Sequence, residues 1–180
     1  MNASHPLAGQ PARRNIELKA RCPDLARAAA AAKDIGATRA GELRQCDTYF
    51  HVPTGRLKLR ETDGKPAELI AYARADSPEF RDSRYHLVPA PDPAALKTAL
   101  ASVLGVRGEV RKVRELWMYH NVRIHLDAVA GLGTFTEFEA VISSAADEAA
   151  SQERLETLTS ALGIGDDDRI SVSYSDLAGL

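Results

Sequence analysis

The chain has 180 residues, 44% hydrophobic and 27% charged, an ordinary soluble composition with enough length to bury a core. A net charge of −2 provides no global basic field, which argues against nucleic-acid and membrane-surface partners and makes any anion site a local one. No apolar run approaches the ~20 residues of a membrane span. Residues 1–13, rich in Ala, Pro and Gly without the apolar core of a leader peptide, read as a flexible tail ahead of a single domain over 14–180.

In chain order, period-two alternation predicts a first strand over 14–21. Residues 23–35 read as a helix, opened by Pro23 and Asp24 and stopped at Gly36. Strands follow over 39–50, 56–62, 67–75 and 83–88, with turn chemistry at Pro53–Gly55 and Asp63–Pro66. A second helix is predicted over 93–104, with Asp92 as N-cap, Pro93 in the first turn and Gly105 at the stop. Strands over 107–119, 122–129 and 134–142 come next, the last two separated by Gly131–Gly133. A third helix over 146–162 sets Leu155, Leu158 and Leu162 on one face, and a final strand is expected over 169–174. Strands outnumber helices threefold and the connections are short. The expected fold is therefore α+β, a largely antiparallel sheet with helices packed outside it. Cys22 and Cys46 lack metal-ligand spacing and read as free thiols of a reducing cytoplasm, and the five His form no zinc motif.

Residues two apart share a face of a strand. Glu17 pairs in this way with Lys19, Lys58 with Arg60, Lys112 with Arg114, and Glu137 with Glu139. Arg123, His125 and Asp127 share a face, Arg84 and His86 another, and Arg74 lies with Tyr72 and Asp76. A sheet with one wet face gives the same alternation. Three strands are basic-rich and one is doubly acidic, however, with mixed strands between, and the opposite faces carry enough Leu, Ile, Val and Phe for a continuous apolar layer. If the sheet closes into a barrel, the charged face becomes its lining, which is costly unless compensated. Arg and Lys suit phosphate oxygens, and clustered carboxylates suit Mg²⁺ or Mn²⁺. A metal-chelated polyphosphate satisfies both. His125 reads as a lumen-facing hydrogen bonder in preference to a proton carrier.

These residues resemble the CYTH family of class IV adenylyl cyclases and thiamine triphosphatases. NIELK at 15–19 looks like the family's ExExK signature, and QCDTYF at 45–50, GRLKLRE at 55–61 and LIAYAR at 69–74 follow in the family's order. So do Lys112-Val-Arg114, RIHLD at 123–127, GLGTF at 131–135, Glu137-Phe-Glu139 and the closing YSDL at 174–177. The resemblance implies a tunnel of about eight strands, open at its ends. It implies that Lys19, Lys58, Arg60, Arg74, Lys112, Arg114 and Arg123 bind a triphosphate, with Arg84 a weaker match. It assigns Glu17, Asp127, Glu137 and Glu139 to Mg²⁺ or Mn²⁺, and catalysis to Asp127, Glu137, Lys112 and Arg114. One departure is Asn15, where the family usually has glutamate; an amide removes a negative charge from the metal's surroundings.

DTYF and GRLKLRE look closest to the cyclase branch, which implies conversion of ATP to cyclic AMP and pyrophosphate. Hydrolysis of thiamine triphosphate or tripolyphosphate is the alternative. A non-catalytic nucleotide- or polyphosphate-binding module is a third reading. The expected partner is a small triphosphate such as ATP, with no nucleic acid and no membrane, in the cytoplasm; the oligomeric state stays open, a homodimer included.

Overall fold

The computed structural model describes residues 12–74 and 76–180. The tail expected over 1–13 lies outside them up to residue 11. Eight strands close into one barrel: β1 (Arg13–Arg21), β2 (Thr38–Phe50), β3 (Arg56–Thr62), β4 (Lys65–Arg74), β5 (Arg81–Ala90), β6 (Val106–Tyr119), β7 (Val122–Val129) and β8 (Gly133–Ile142). Their order around it is β1-β5-β4-β3-β2-β6-β7-β8, and β8 pairs back onto β1. Every pairing is antiparallel. Closure leaves no unpaired edge and divides the side chains into a lining and an outer layer.

The outer layer is the apolar core. Helices α1 (Leu25–Asp34) and α3 (Ala145–Ala161) cover β1, β7 and β8, burying Leu18, Ile124, Phe138, Leu155 and Leu158. Helix α2 (Pro93–Leu104) sets Leu96, Leu100 and Leu104 on Phe50 and Leu59. The caps are side-chain oxygens, as expected at Asp92: it accepts from Ala95 N at 3.0 Å, Asp24 from Arg27 N at 2.9 Å and Ser144 from Asp147 N at 3.2 Å. The first helix starts after Pro23, because Asp24 caps it. In the β2–β3 turn Gly55 has φ of +68°, and a Cβ there would stand 3.0 Å from the Tyr72 carbonyl oxygen, so the turn requires glycine.

The strand expected over 169–174 does not form. One bridge, Ala20 to Arg169, begins a pairing that stops at once. The carbonyls of Ile170 and Ser171 accept from the buried Arg81 guanidinium at 2.9 and 3.1 Å, and Ser173 caps a short helix α4 (Tyr174–Leu177). This segment packs on Tyr49, Val110, Val129 and Phe135 at one end of the barrel. A tunnel open at both ends is thereby corrected to one whose first end is stoppered by the C-terminal segment. Among the described residues no helix is long and apolar enough to cross a membrane.

Leu158 is fully buried between α3 and the sheet, away from the lining. Leu158→Ala is predicted to cost roughly 2–5 kcal/mol in urea unfolding.

Candidate functional site

The barrel interior carries a central cavity of about 170 Å³, lined by Glu17, Lys19, Lys58, Arg60, Lys112, Arg114, Arg123, Glu137 and Glu139 together with Asn15, Tyr49, Tyr72, Tyr85 and Tyr174. Toward the end opposite the stopper lies a second cavity of about 440 Å³, whose walls include Leu43, Gln45, Thr62, Pro89, Leu116 and His125. Arg60, Glu68, Arg114, Arg123 and Glu139 line both.

Most of the cations and carboxylates read from the alternation converge on this interior. Arg84 does not. It is exposed, as is His86, while Arg81, Ser83, Tyr85 and Leu87 turn inward. The cause is register: Ser83 pairs with Asn15 and Tyr85 with Tyr72, both lining residues. Arg74 ends β4 opposite Ser83; its side chain lies outside the described residues.

Asp47, which the sequence reading passed over, organises one wall. It is fully buried and its Oδ2 accepts from Lys58 Nζ at 3.0 Å, Lys112 Nζ at 3.1 Å and Arg60 Nη2 at 2.7 Å; Oδ1 accepts from Arg60 Nε at 2.7 Å. No charge pattern in the sequence marks it: it shares β2's inward face with Gln45 and Tyr49 and meets Arg60 only across the ladder. Burial opposes its charge, but Arg60, Lys112 and Lys58 together hold its carboxyl well below the usual range. One carboxylate cannot fully neutralise three cations. Burial, with Arg60 beside it, lowers Lys58 to about 8. Burial, with Arg60, Arg114 and Lys58 as neighbours, outweighs Asp47 and lowers Lys112 to about 7.

The facing wall is acidic. Arg114 makes a two-pronged pair with Asp127 (2.7 and 2.6 Å) and also reaches Glu137 Oε2 at 3.0 Å. The Tyr174 hydroxyl donates to Asp127 Oδ2 at 2.8 Å. Both Asp127 oxygens are thus committed, and although burial opposes it, Arg114 keeps its carboxyl near 2. Asp127, expected among the metal carboxylates and the catalytic groups, sits in the structure as the partner that fixes Arg114. Lys19 pairs with Glu137 Oε1 at 3.1 Å and lies over the Tyr174 ring at 3.7 Å. Arg123 pairs with Glu139 at 2.9 Å. Glu17 lies opposite Glu139 on the β1–β8 ladder, with Arg81 Nε at 3.9 Å. The Asn15 amide is satisfied when its nitrogen faces the Arg14 carbonyl (3.1 Å) and the Tyr85 hydroxyl (3.3 Å), and its oxygen then accepts from Arg123 Nη2 at 3.1 Å.

His125 belongs to this wall. Its Nδ1 is buried without a hydrogen-bond partner, and Glu137 and Glu139 oxygens stand at 3.6 and 3.8 Å, beyond hydrogen-bond reach. Burial, reinforced by Arg114, lowers its pKa. One donor atom from each of His125, Glu137 and Glu139 falls within a 4.8 Å group, a donor set that suits a divalent cation.

A charged, closed antiparallel barrel with these motifs in order matches one family description. The CYTH domain model matches residues 13–174. The chain belongs to the CYTH family. A Methanocaldococcus jannaschii protein with a provisional adenylate cyclase name is 35% identical over 71 residues, which span 39% of this chain and only 41% of that protein. Among solved structures, the PH1012 protein of Pyrococcus horikoshii superposes with a TM-score of 0.79 at 22% identity, covering 91% of this chain and 98% of its own. A provisionally named adenylate cyclase of Vibrio parahaemolyticus gives 0.76 at 21%, covering 95% and 100%. A Hippeastrum protein, named for adenylyl cyclase but described as having a dominant triphosphatase activity, gives 0.63 at 15%, covering 92% and 93%. At these identities the structural likeness speaks for the fold alone.

Two predictions follow from the CYTH barrel's electrostatics. Asp47→Asn leaves the buried Lys112 and the half-buried Lys58 and Arg60 without their common counter-ion, at a cost of about 3 kcal/mol in denaturant melts. Tripolyphosphate should restore more thermal stability to the variant than it adds to the parent. The second concerns protons. A bound polyanion favours the ammonium forms of Lys58 and Lys112, so binding near pH 8 takes up protons and weakens as pH rises from about 7 to 9. Calorimetry in two buffers of different ionisation enthalpy measures that uptake. In the unliganded protein Lys112 acts with the opposite sign: its folded pKa of about 7 lies below its ordinary 10.5, so its contribution to stability rises with pH across that window. Affinity independent of pH would show that the anion does not reach these lysines.

Proposed function

We propose that this chain is a metal-dependent enzyme acting on a nucleoside triphosphate, in the manner of a class IV adenylyl cyclase, converting ATP to cyclic AMP and pyrophosphate. The observation that carries this reading is the pair of cavities with a shared wall. The 170 Å³ lumen, lined by cations, suits a phosphate chain, whereas the 440 Å³ mouth falls in the range of roughly 300–1,000 Å³ typical of pockets for organic ligands. The mouth has apolar walls at Leu43, Leu116 and Pro89 and one buried acceptor without a partner, Gln45 Oε1, suited to an N–H donor on a head group.

In this reading Lys58, Arg60 and Lys112 hold the phosphates and offset the charge that develops on the leaving pyrophosphate. Arg114, fixed by Asp127, stands between that wall and the acidic one and orients the α-phosphate. A divalent cation, Mg²⁺ or Mn²⁺, held by Glu137 and Glu139 would neutralise phosphate oxygens. Glu139, which lines both cavities, would orient the ribose 3′-hydroxyl, whose proton would pass to water as that oxygen bonds to the α-phosphorus and the bond to the β-phosphate oxygen breaks. Triphosphatase activity is the second reading, because the lumen gathers its cations without any help from the mouth.

Product analysis with ATP, thiamine triphosphate and tripolyphosphate, each with Mg²⁺ and with Mn²⁺, tests the proposal. Cyclic AMP with pyrophosphate supports the cyclase; free phosphate without cyclic AMP replaces it with the hydrolase. Binding without turnover of any substrate leaves a binding module. Lys112→Ala and Glu137→Gln are expected to lower turnover by about 10²–10³-fold each. Gln45→Leu should raise the KM for ATP by up to about tenfold and leave tripolyphosphate unaffected.

A further inference from the structure

Antiparallel pairing of β7 with β8 sets His125 directly opposite Glu137, and Arg123 opposite Glu139, all on the inward face. Side chains opposed in this way stand close enough to share one small ligand. His125 is 4% exposed, and its Nδ1 faces the two carboxylates without bonding to either. A buried ring nitrogen left without a partner costs free energy, and a cation between the three groups removes that cost.

We infer that His125 is a metal ligand in this chain, its Nδ1 completing with one oxygen each of Glu137 and Glu139 a seat for a first-row divalent transition metal in preference to Mg²⁺. Magnesium takes oxygen donors almost exclusively, whereas an imidazole nitrogen raises affinity for manganese and the metals after it. Both carboxylates already accept from cations, Glu137 from Lys19 and Arg114 and Glu139 from Arg123. A carboxylate offers about four lone-pair sites, so a metal can share these oxygens. The substitution at Asn15 fits the same seat. Its neutral amide serves Arg123 and supplies no carboxylate to a cation, and the imidazole of His125 supplies a donor on the same acidic wall. The metal's purpose rests on the function proposed above; its binding is measurable without nucleotide.

The test titrates Mn²⁺ into nucleotide-free protein, following free Mn²⁺ by electron paramagnetic resonance and coordinated nitrogen by its ¹⁴N coupling in pulsed spectra. One Mn²⁺ site with ¹⁴N coupling is expected, with Mg²⁺ at least about tenfold weaker in competition. His125→Gln should abolish the coupling and weaken Mn²⁺ by about tenfold or more while changing Mg²⁺ little. Glu139→Gln should weaken both metals. Bound Mn²⁺ without nitrogen coupling, affinity unchanged in His125→Gln, or no binding at all would overturn the inference. If His125→Gln does not fold, the coupling in the parent protein decides alone. A nitrogen-ligated metal in a protein that turns over no triphosphate would leave this inference standing and reject the function; turnover with an all-oxygen metal would do the reverse.

Discussion

Closure of the sheet is the constraint on which the rest depends. Once β1 joins β5 on one side and β8 on the other, alternate residues of every strand are enclosed, whatever their chemistry. In this chain much of what closure encloses is charged, so the interior cannot act as an apolar core. That task passes to the outer face, where α1 and α3 cover one side of the barrel and α2 another. The interior is stabilised by pairing. Asp47, Asp127, Glu137 and Glu139 each contact at least one cation, and Glu17 lies beside Arg81. The network that allows the barrel to close is thus made of the residues that would meet a ligand.

The C-terminal segment couples those two roles. Tyr174 reaches the lumen from outside the sheet, donating to Asp127 while its ring lies beneath Lys19. Through Asp127 it fixes Arg114, and through Lys19 it bears on Glu137. The same residue is part of the apolar stopper at that end. Removing its hydroxyl acts on the acidic wall; removing its ring also opens the stopper. An extended strand would have placed Tyr174 in the ladder instead; here the Ile170 and Ser171 carbonyls accept from Arg81 and Ser173 turns the chain into α4.

Much of this was legible in the sequence, and the exceptions have definite causes. Strands β3, β7 and β8 announce their lining because charges alternate with Leu, Ile, Val or Phe, as in Arg123-Ile124-His125-Leu126-Asp127. In β5 the inward set is Arg81, Ser83, Tyr85 and Leu87 and the outward set Asp82, Arg84, His86 and Val88. Both sets mix polar with apolar residues, so composition cannot choose between them; the register against Asn15 does, and register is a property of the closed sheet. Asp47 escaped notice because a lone acid with no charged neighbour at i±2 carries no pattern. Its role exists only through Lys58, Arg60 and Lys112, which come from two other strands. His125 was placed on the correct face, but its proximity to Glu137 and Glu139 depends on the pairing of β7 with β8.

The charge arrangement sets the two walls of the interior apart. On the Asp47 wall three cations face one carboxylate, an excess that burial reduces by bringing Lys58 and Lys112 close to neutral pH in their titration. On the opposite wall Glu17, Asp127, Glu137 and Glu139 face Lys19, Arg114 and Arg123, with Arg81 behind Glu17. That wall is close to balanced, and a glutamate at position 15 would make it more acidic. Asn15 leaves the acidic wall nearer neutrality while Tyr85 and Arg123 satisfy its amide. On the proposed function, a dication would leave positive charge on the acidic wall just as a polyanion would draw protons onto the lysines opposite. Each ligand would create the field that favours the other, so on that function the two are expected to bind cooperatively, with a coupling set by the charge shared across the lumen.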